Sequence, residues 1–179
     1  MTSVFLIQKQ IIKHDFSKFL AVRKVTQDNL GKRTAGVDRV SNLTPDERME
    51  LVQNIKIDNK SDKIRRVTIL KPNGKERHLG IPTIRDRAKQ CLVKFALEPQ
   101  YEAIFEPNSY GFRPGWSSND ARKAIVKCLK QLSKHVLDAD IEGCFDNIDH
   151  SKLLLKVNTF PVLKEQLRAW LKAGILTGF

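Results

Sequence analysis

Apolar residues recur at mixed helical spacing near the start of the chain, where Phe5, Ile12, Phe16, Phe19 and Leu20 stand in a polar background. This pattern predicts one or two short helices over residues 4–25, followed by a loop in the polar, glycine-containing stretch from Thr26 to Asp38. Thr44-Pro45-Asp46-Glu47 then offers an N-cap hydroxyl, a proline for the first turn and a glutamate to return the hydrogen bond. A helix starts there, with Met49, Val52 and Ile55 or Lys56 as its buried stripe. Arg65 to Leu70 is short and β-branched, Pro72-Asn73-Gly74 interrupts it, and Lys75 to Pro82 continues as a second extended run, which predicts a hairpin. Thr83-x-x-Asp86 opens another helix with Ala88, Cys91, Leu92 and Phe95 on one side, until Pro99 kinks or ends it. Asn108 to Ser118 reads as an irregular loop, and Ser118 caps a helix whose apolar face is Ala121, Ala124, Ile125, Cys128, Leu129 and Leu132. Val136 to Ile141 has strand character, and Leu153 to Leu176 is mostly helical, interrupted near Pro161.

The length of the hairpin loop decides which side chains share a face. With a two-residue Asn73-Gly74 loop, Leu70 opposes Arg77, and Lys71 and Arg77 point to opposite faces. With a three-residue Pro72-Asn73-Gly74 loop and a bulge, Ile69 opposes Arg77, and Arg65, Lys71, Lys75 and Arg77 line one side. The second geometry makes a phosphate clamp, the first only a basic ribbon.

Charge sharpens that distinction. The chain has 179 residues with 32 Lys plus Arg against 20 Asp plus Glu, a net charge of +12, and 41% hydrophobic residues. It is long enough to bury a core without disulfides or a structural metal, and its positive surplus fits a polyanion partner such as nucleic acid. Lys60 to Lys89 concentrates ten Lys or Arg against Asp62, Glu76 and Asp86. By contrast Asp138, Asp140, Glu142, Asp146 and Asp149 share a segment without any Lys or Arg. No run approaches the roughly 18 apolar residues of a membrane span, and Val4 to Ile7 is too short for a signal-peptide core. A cytoplasmic protein is expected, or an organellar one if a leader has been removed. Cys91, Cys128 and Cys144 are far apart with no CxxC pair, and read as reduced thiols. His14, His78, His135 and His150 are scattered and read as structural.

In a strand spanning Val136 to Ile141, Asp138 and Asp140 point to the same face. Two carboxylates so placed either bind a hard cation or lie solvated at an exposed strand end. The segment Ala139-Asp140-Ile141-Glu142-Gly143-Cys144-Phe145-Asp146-Asn147-Ile148-Asp149-His150 resembles motif A of reverse transcriptases encoded by group II introns. Three further blocks resemble the same family in the same order. Arg66 to Thr83, with Lys71-Pro72-Asn73-Gly74-Lys75 at its centre, is similar to the first block of the fingers, and Asn108-Ser109-Tyr110-Gly111-Phe112-Arg113-Pro114-Gly115 to the second. Ala21 to Thr26 and Thr34-Ala35-Gly36-Val37-Asp38 are similar to the N-terminal extension of these enzymes.

The resemblance implies an α+β fold, the fingers and partial palm of a right-hand polymerase, with an antiparallel sheet flanked by helices. Residues 1–105 would form the N-terminal extension and fingers, 106–150 the transition to the palm and its first strand, and 151–179 a helical segment returning toward the fingers. It also implies that Asp140 is catalytic and binds Mg2+ together with the Ile141 main-chain carbonyl. Arg65, Lys71 and Arg77 would hold the incoming deoxynucleoside triphosphate, and Phe145 would sit under the sugar as a steric gate. Tyr110, Phe112 and Arg113 would lie beside the template RNA. Residue by residue the alternatives are plainer: a solvated basic ribbon for the hairpin cations, a core aromatic for Phe145, and loop packing for Tyr110 to Arg113.

A complete family member also carries a Tyr-x-Asp-Asp turn that completes a two-metal site, and a thumb and maturase region. None of these is found before Phe179. Two-metal catalysis needs several converging carboxylates, so the chain alone is expected to extend primers poorly or not at all. Two functions stay open at this point. One is the N-terminal portion of an RNA-directed DNA polymerase tied to group II intron mobility and splicing, with RNA template, intron RNA, DNA primer and deoxynucleoside triphosphates as partners. The other is an RNA-binding module or truncated product without catalysis. A second copy of the chain or a missing C-terminal half stays open as a further partner.

Overall fold

The computed structural model describes residues 3–130 and 134–177. The helices among them are α1 (Ser3–Lys13), α2 (Asp15–Arg23), α3 (Pro45–Asn54), α4 (Ile84–Glu102), α5 (Ser118–Leu129), α6 (His150–Lys156) and α7 (Pro161–Lys172). The strands are β1 (Ile64–Leu70), β2 (Glu76–Ile81) and β3 (Ile175–Leu176). The chain divides into two compact units, Met1–Glu98 with His150–Phe179, and Pro99–Asp149.

The first unit is built on α4. Ala88 and Leu92 are fully buried on it, and Leu92, Val93 and Ala96 pack with Ile12, Ala21, Phe160 and Leu163 in one cluster. A second cluster joins Val22, Val52, Ile55 and Ala88. Fully burying a leucine such as Leu92 or Leu163 is worth about 2 kcal/mol, so α4 and α7 are held mainly by these contacts. The capping box forms as the sequence predicts: the Glu47 N–H donates to Thr44 Oγ1 and the Thr44 N–H to Glu47 Oε2. In the predicted stripe Val52 and Ile55 are buried, whereas Met49 is exposed.

A buried polar network fixes the segment that leads into β1. Lys89, 1% exposed, donates from Nζ to Asp58 Oδ1 at 2.6 Å and to the Lys60 carbonyl at 3.1 Å. Buried Asp86 accepts the Asp62 N–H at 2.8 Å and the Ser61 hydroxyl at 3.1 Å. Gln166 on α7 accepts the Asn59 N–H and donates to the Lys60 carbonyl, both at 3.0 Å. Residues 58–62 thus gain partners for polar groups that would otherwise be buried unpaired.

Three expectations are corrected and one is narrowed. The sheet is mixed rather than antiparallel: its order is β2-β1-β3, and β3 pairs parallel to β1 with Ile64 opposite Ile175. The reason lies at Gly174, whose φ of +74° ends the helical stretch early and whose carbonyl accepts the Ile64 N–H at 3.0 Å. Val136 to Ile141 forms no strand. Residues 134–141 are exposed throughout, and no strand among the described residues offers this segment a ladder partner. Of the two alternatives at Pro99, ending the helix is the one not taken: α4 runs on to Glu102 with Pro99 inside it, while the boundary between units falls at Glu98 and Pro99. The cap of α5 is Ser117 rather than Ser118, because Asp120 reaches back to accept both the Ser117 N–H and hydroxyl. Leu132 lies outside the described residues.

Candidate functional site

The hairpin of the first unit takes the three-residue loop. The Gly74 N–H donates to the Lys71 carbonyl and the Lys71 N–H to the Lys75 carbonyl, both at 2.9 Å, with Gly74 at φ +75°. A left-handed glycine closing such a turn makes a G1 bulge, and a side chain there is strained. Ile69 consequently opposes Arg77, Leu70 opposes Glu76, and Arg65 opposes Ile81. With a period of two, Arg65, Lys71, Lys75 and Arg77 occupy one face, while Glu76 turns to the other.

The cations on that face are not equivalent. Lys71, Lys75 and Arg77 are exposed, and none has an acidic partner among the described residues. Arg65, at the base, is half-buried and donates from Nη1 to the Ala35 carbonyl at 3.0 Å. Arg87 holds the same loop, donating to the carbonyls of Gly31 at 2.9 Å and Thr34 at 2.7 Å. Gly36 fits because it lacks a side chain: a Cβ there would stand 2.7 Å from the Thr83 backbone. The glycine-containing stretch between residues 30 and 38 is therefore tied to the hairpin base.

In the second unit, Asp140 is exposed, and its Oδ1 accepts the Ile141 N–H at 2.9 Å. A turn follows, in which the Gly143 carbonyl accepts the N–H of Asp146 at 3.0 Å and of Asn147 at 3.1 Å, with Gly143 at φ +56°. Phe145 is 83% exposed, so the plain reading of it as a core aromatic has no support in this unit. No group of three or more His, Cys, Asp or Glu converges among the described residues.

Tyr110, Phe112 and Arg113 have divergent surroundings. Arg113 is buried in contacts of its own unit: it donates to both oxygens of Glu102, to the Glu106 carbonyl and to the Ser109 carbonyl. Its guanidinium also lies 5.4 Å from the ring centroids of Phe105 and Trp116. The Arg113 hydrogen bond holds the Glu102 carboxyl below the usual glutamate range, and Glu102 in turn raises Arg113 further. Tyr110 packs edge-on against Trp116 at 5.2 Å. Phe112 stands fully exposed with φ +59°, an unfavourable conformation for a bulky side chain. Sequence reasoning missed the partners Glu102, Phe105 and Trp116, since nothing in their spacing marks them as neighbours of Arg113. Lys75, which the sequence analysis put on the clamp face but not among the residues expected to hold a triphosphate, shares that face in the bulged register.

Residues 69–178 match the family described as reverse transcriptase (RNA-dependent DNA polymerase), and residues 1–55 match the N-terminal domain of reverse transcriptase. The chain belongs to the reverse transcriptase family. It is 35% identical over 156 residues to the group II intron-encoded protein LtrA of Lactococcus lactis subsp. cremoris, covering 83% of this chain and 26% of that protein. It is 31% identical over 162 residues to maturase-like protein 1 of Euglena gracilis, covering 87% of this chain and 35% of that one. The reverse transcriptase chain thus spans about a quarter to a third of these relatives and corresponds to their N-terminal part. No helix among the described residues is long and apolar enough to cross a membrane.

Proposed function

We propose that this chain is the fingers and first palm portion of an RNA-directed DNA polymerase associated with group II intron mobility and splicing. The supporting observation is the bulged register of the hairpin, which puts Arg65, Lys71, Lys75 and Arg77 on one face with no acid among them. Lys71 and Arg77 grip the triphosphate of an incoming deoxynucleotide, Lys as a point charge and Arg as a two-pronged donor. Arg65 contributes from the hairpin base while its Nη1 stays on the Ala35 carbonyl. Such a clamp reads phosphate and not base, as a polymerase that accepts four nucleotides requires.

Asp140 and the Ile141 carbonyl are hard oxygen donors and fit magnesium by type, whereas one carboxylate is fewer than a two-metal site needs. Magnesium, when bound, activates the primer hydroxyl and neutralises the leaving phosphates. Phe145 serves as the gate under the sugar of the nucleotide, a role supported by its place in the motif A-like segment and by its exposed ring. Phe112 offers a face for stacking on template RNA, beside Tyr110. Arg113 acts there by holding the loop that carries Phe112, because its own donors are taken up by Glu102, Glu106 and Ser109. In this assignment residues 1–105 are extension and fingers, 106–150 the way into the palm, and 151–179 a segment associated with the fingers.

The test is primer extension on an RNA template with magnesium, comparing the chain with Asp140→Ala and recording RNA binding in the same samples. These 179 residues contain no Tyr-x-Asp-Asp, so the expected result is RNA binding without extension, unchanged by the substitution. Extension that disappears in Asp140→Ala would show that the remaining carboxylates come from elsewhere in this chain, and would overturn the expectation of inactivity. Failure to bind RNA at all would sink the polymerase reading and the RNA-binding alternative together.

A further inference from the structure

α5 carries positive charge that the clamp and the catalytic segment do not use. Arg122, Lys123, Lys127 and Lys130, with Asn119 and Val126, line an open groove of about 590 Å3. At 100° per residue Lys123, Lys127 and Lys130 gather on one side of the helix, away from Ala121, Ile125 and Cys128, and Arg122 stands at the edge of that side next to Leu129. Asp120 lies 3.8 Å from Lys123, and Arg122, Lys127 and Lys130 have no acidic partner among the described residues.

Helix stability does not account for this stripe. Lys123 and Lys127 are neighbours at i,i+4, and Lys127 and Lys130 at i,i+3, so they repel one another. Lys127 and Lys130 suit the negative end of the helix dipole, but Arg122 and Lys123 stand in its first half, where a cation gains nothing. No residue of α5 is buried, so the stripe is also not a by-product of packing. A polyanion laid along it would neutralise the repulsion. From Arg122 to Lys130 the stripe runs about 12 Å at 1.5 Å per residue, room for about three phosphates of a stacked strand.

We propose that the basic face of α5 docks the phosphate backbone of RNA, a contact additional to the hairpin clamp and resting on the reading of this chain as part of an RNA-handling polymerase. A basic amphipathic helix also suits an anionic membrane surface. The composition of α5 favours RNA, because the helix has no aromatic anchor to seat in a lipid interface.

The experiment measures binding of a 20-nucleotide single-stranded RNA, on the order of the length several contacts need, to the full chain and to a Lys127→Gln/Lys130→Gln double variant across a salt series. Glutamine keeps helix propensity close to that of lysine, and a thermal melt checks that the variant is folded. Losing two phosphate contacts should reduce the slope of log affinity against log salt by about 1.4 and weaken binding roughly tenfold at 0.15 M salt. A Lys127→Arg/Lys130→Arg variant should restore both. An unchanged slope in a folded glutamine variant overturns the proposal while leaving the polymerase reading intact. Wild-type chain that binds no RNA overturns both. Co-sedimentation with phosphatidylserine vesicles that is lost in the glutamine variant, with RNA binding unaltered, overturns it in favour of a membrane surface.

Discussion

Single residues in this chain do different work from what their charge suggests. Lys89 is a cation in the middle of a basic segment, yet it is buried and spends its ammonium on Asp58 and the Lys60 carbonyl. Replacing it with methionine strands the Asp58 carboxylate, which keeps only Arg85 at 3.2 Å as a charged partner. A loss of about 3 kcal/mol in urea unfolding is expected, since breaking a buried pair exposes the full desolvation of the survivor. Burial pushes the Asp58 carboxyl up, but the hydrogen bond and charge of Lys89, the Lys60 N–H and Arg85 together hold it below its ordinary value. The stabilisation is therefore complete above the ordinary aspartate value of about 3.9 and disappears as pH falls through the lower folded value. Urea midpoints measured from pH 6 down to pH 2.5 should fall most steeply below about pH 4, and Asp58→Asn should flatten that fall. Arg113 follows the same lesson. A basic residue in a family-like loop reads as a template contact, and only the structure shows its donors already occupied.

Among the elements, the hairpin was legible in outline and undecided in register. Pro72-Asn73-Gly74 marks a turn in any reading, but two- and three-residue loops differ by one residue, which moves Lys71 and Arg77 to opposite faces or the same one. What settles it is the left-handed φ of Gly74 and the hydrogen bonds of Lys71. Gly74→Val should therefore destabilise the hairpin by about 1–2 kcal/mol, read as faster amide exchange across β1 and β2, with the helical core unaffected. Gly74→Asn should be close to neutral, because asparagine tolerates that conformation. The capping box at Thr44 was legible to the residue, since all of its partners lie within three positions. Thr44→Ala should cost about 1 kcal/mol in a thermal melt. β3 was not legible, because its partner Ile64 is far away in sequence and two residues carry no periodicity. Val136 to Ile141 failed in the opposite sense: its alternation is real, but a strand needs a neighbour to accept its hydrogen bonds.

At the scale of the whole molecule, charge and the order of four sequence blocks gave the family before any coordinates, and the matches over residues 69–178 and 1–55 agree. The motif A-like segment was legible as residues and not as geometry. Asp140, Ile141 and Phe145 are exposed in a unit of their own, without converging carboxylates among the described residues. The clamp, by contrast, is assembled within one unit by a turn, a register and the buried network under residues 58–62. The central claim is that this clamp holds a nucleoside triphosphate, and equilibrium binding of a deoxynucleoside triphosphate with magnesium tests it most directly. Wild-type chain should bind, and Lys71→Ala and Arg77→Ala should each weaken binding about tenfold, the worth of one charge-assisted hydrogen bond, while Arg66→Ala on the opposite face leaves it unchanged. Equal affinity in all four proteins would mean the hairpin is a solvated basic ribbon, and would contradict the account.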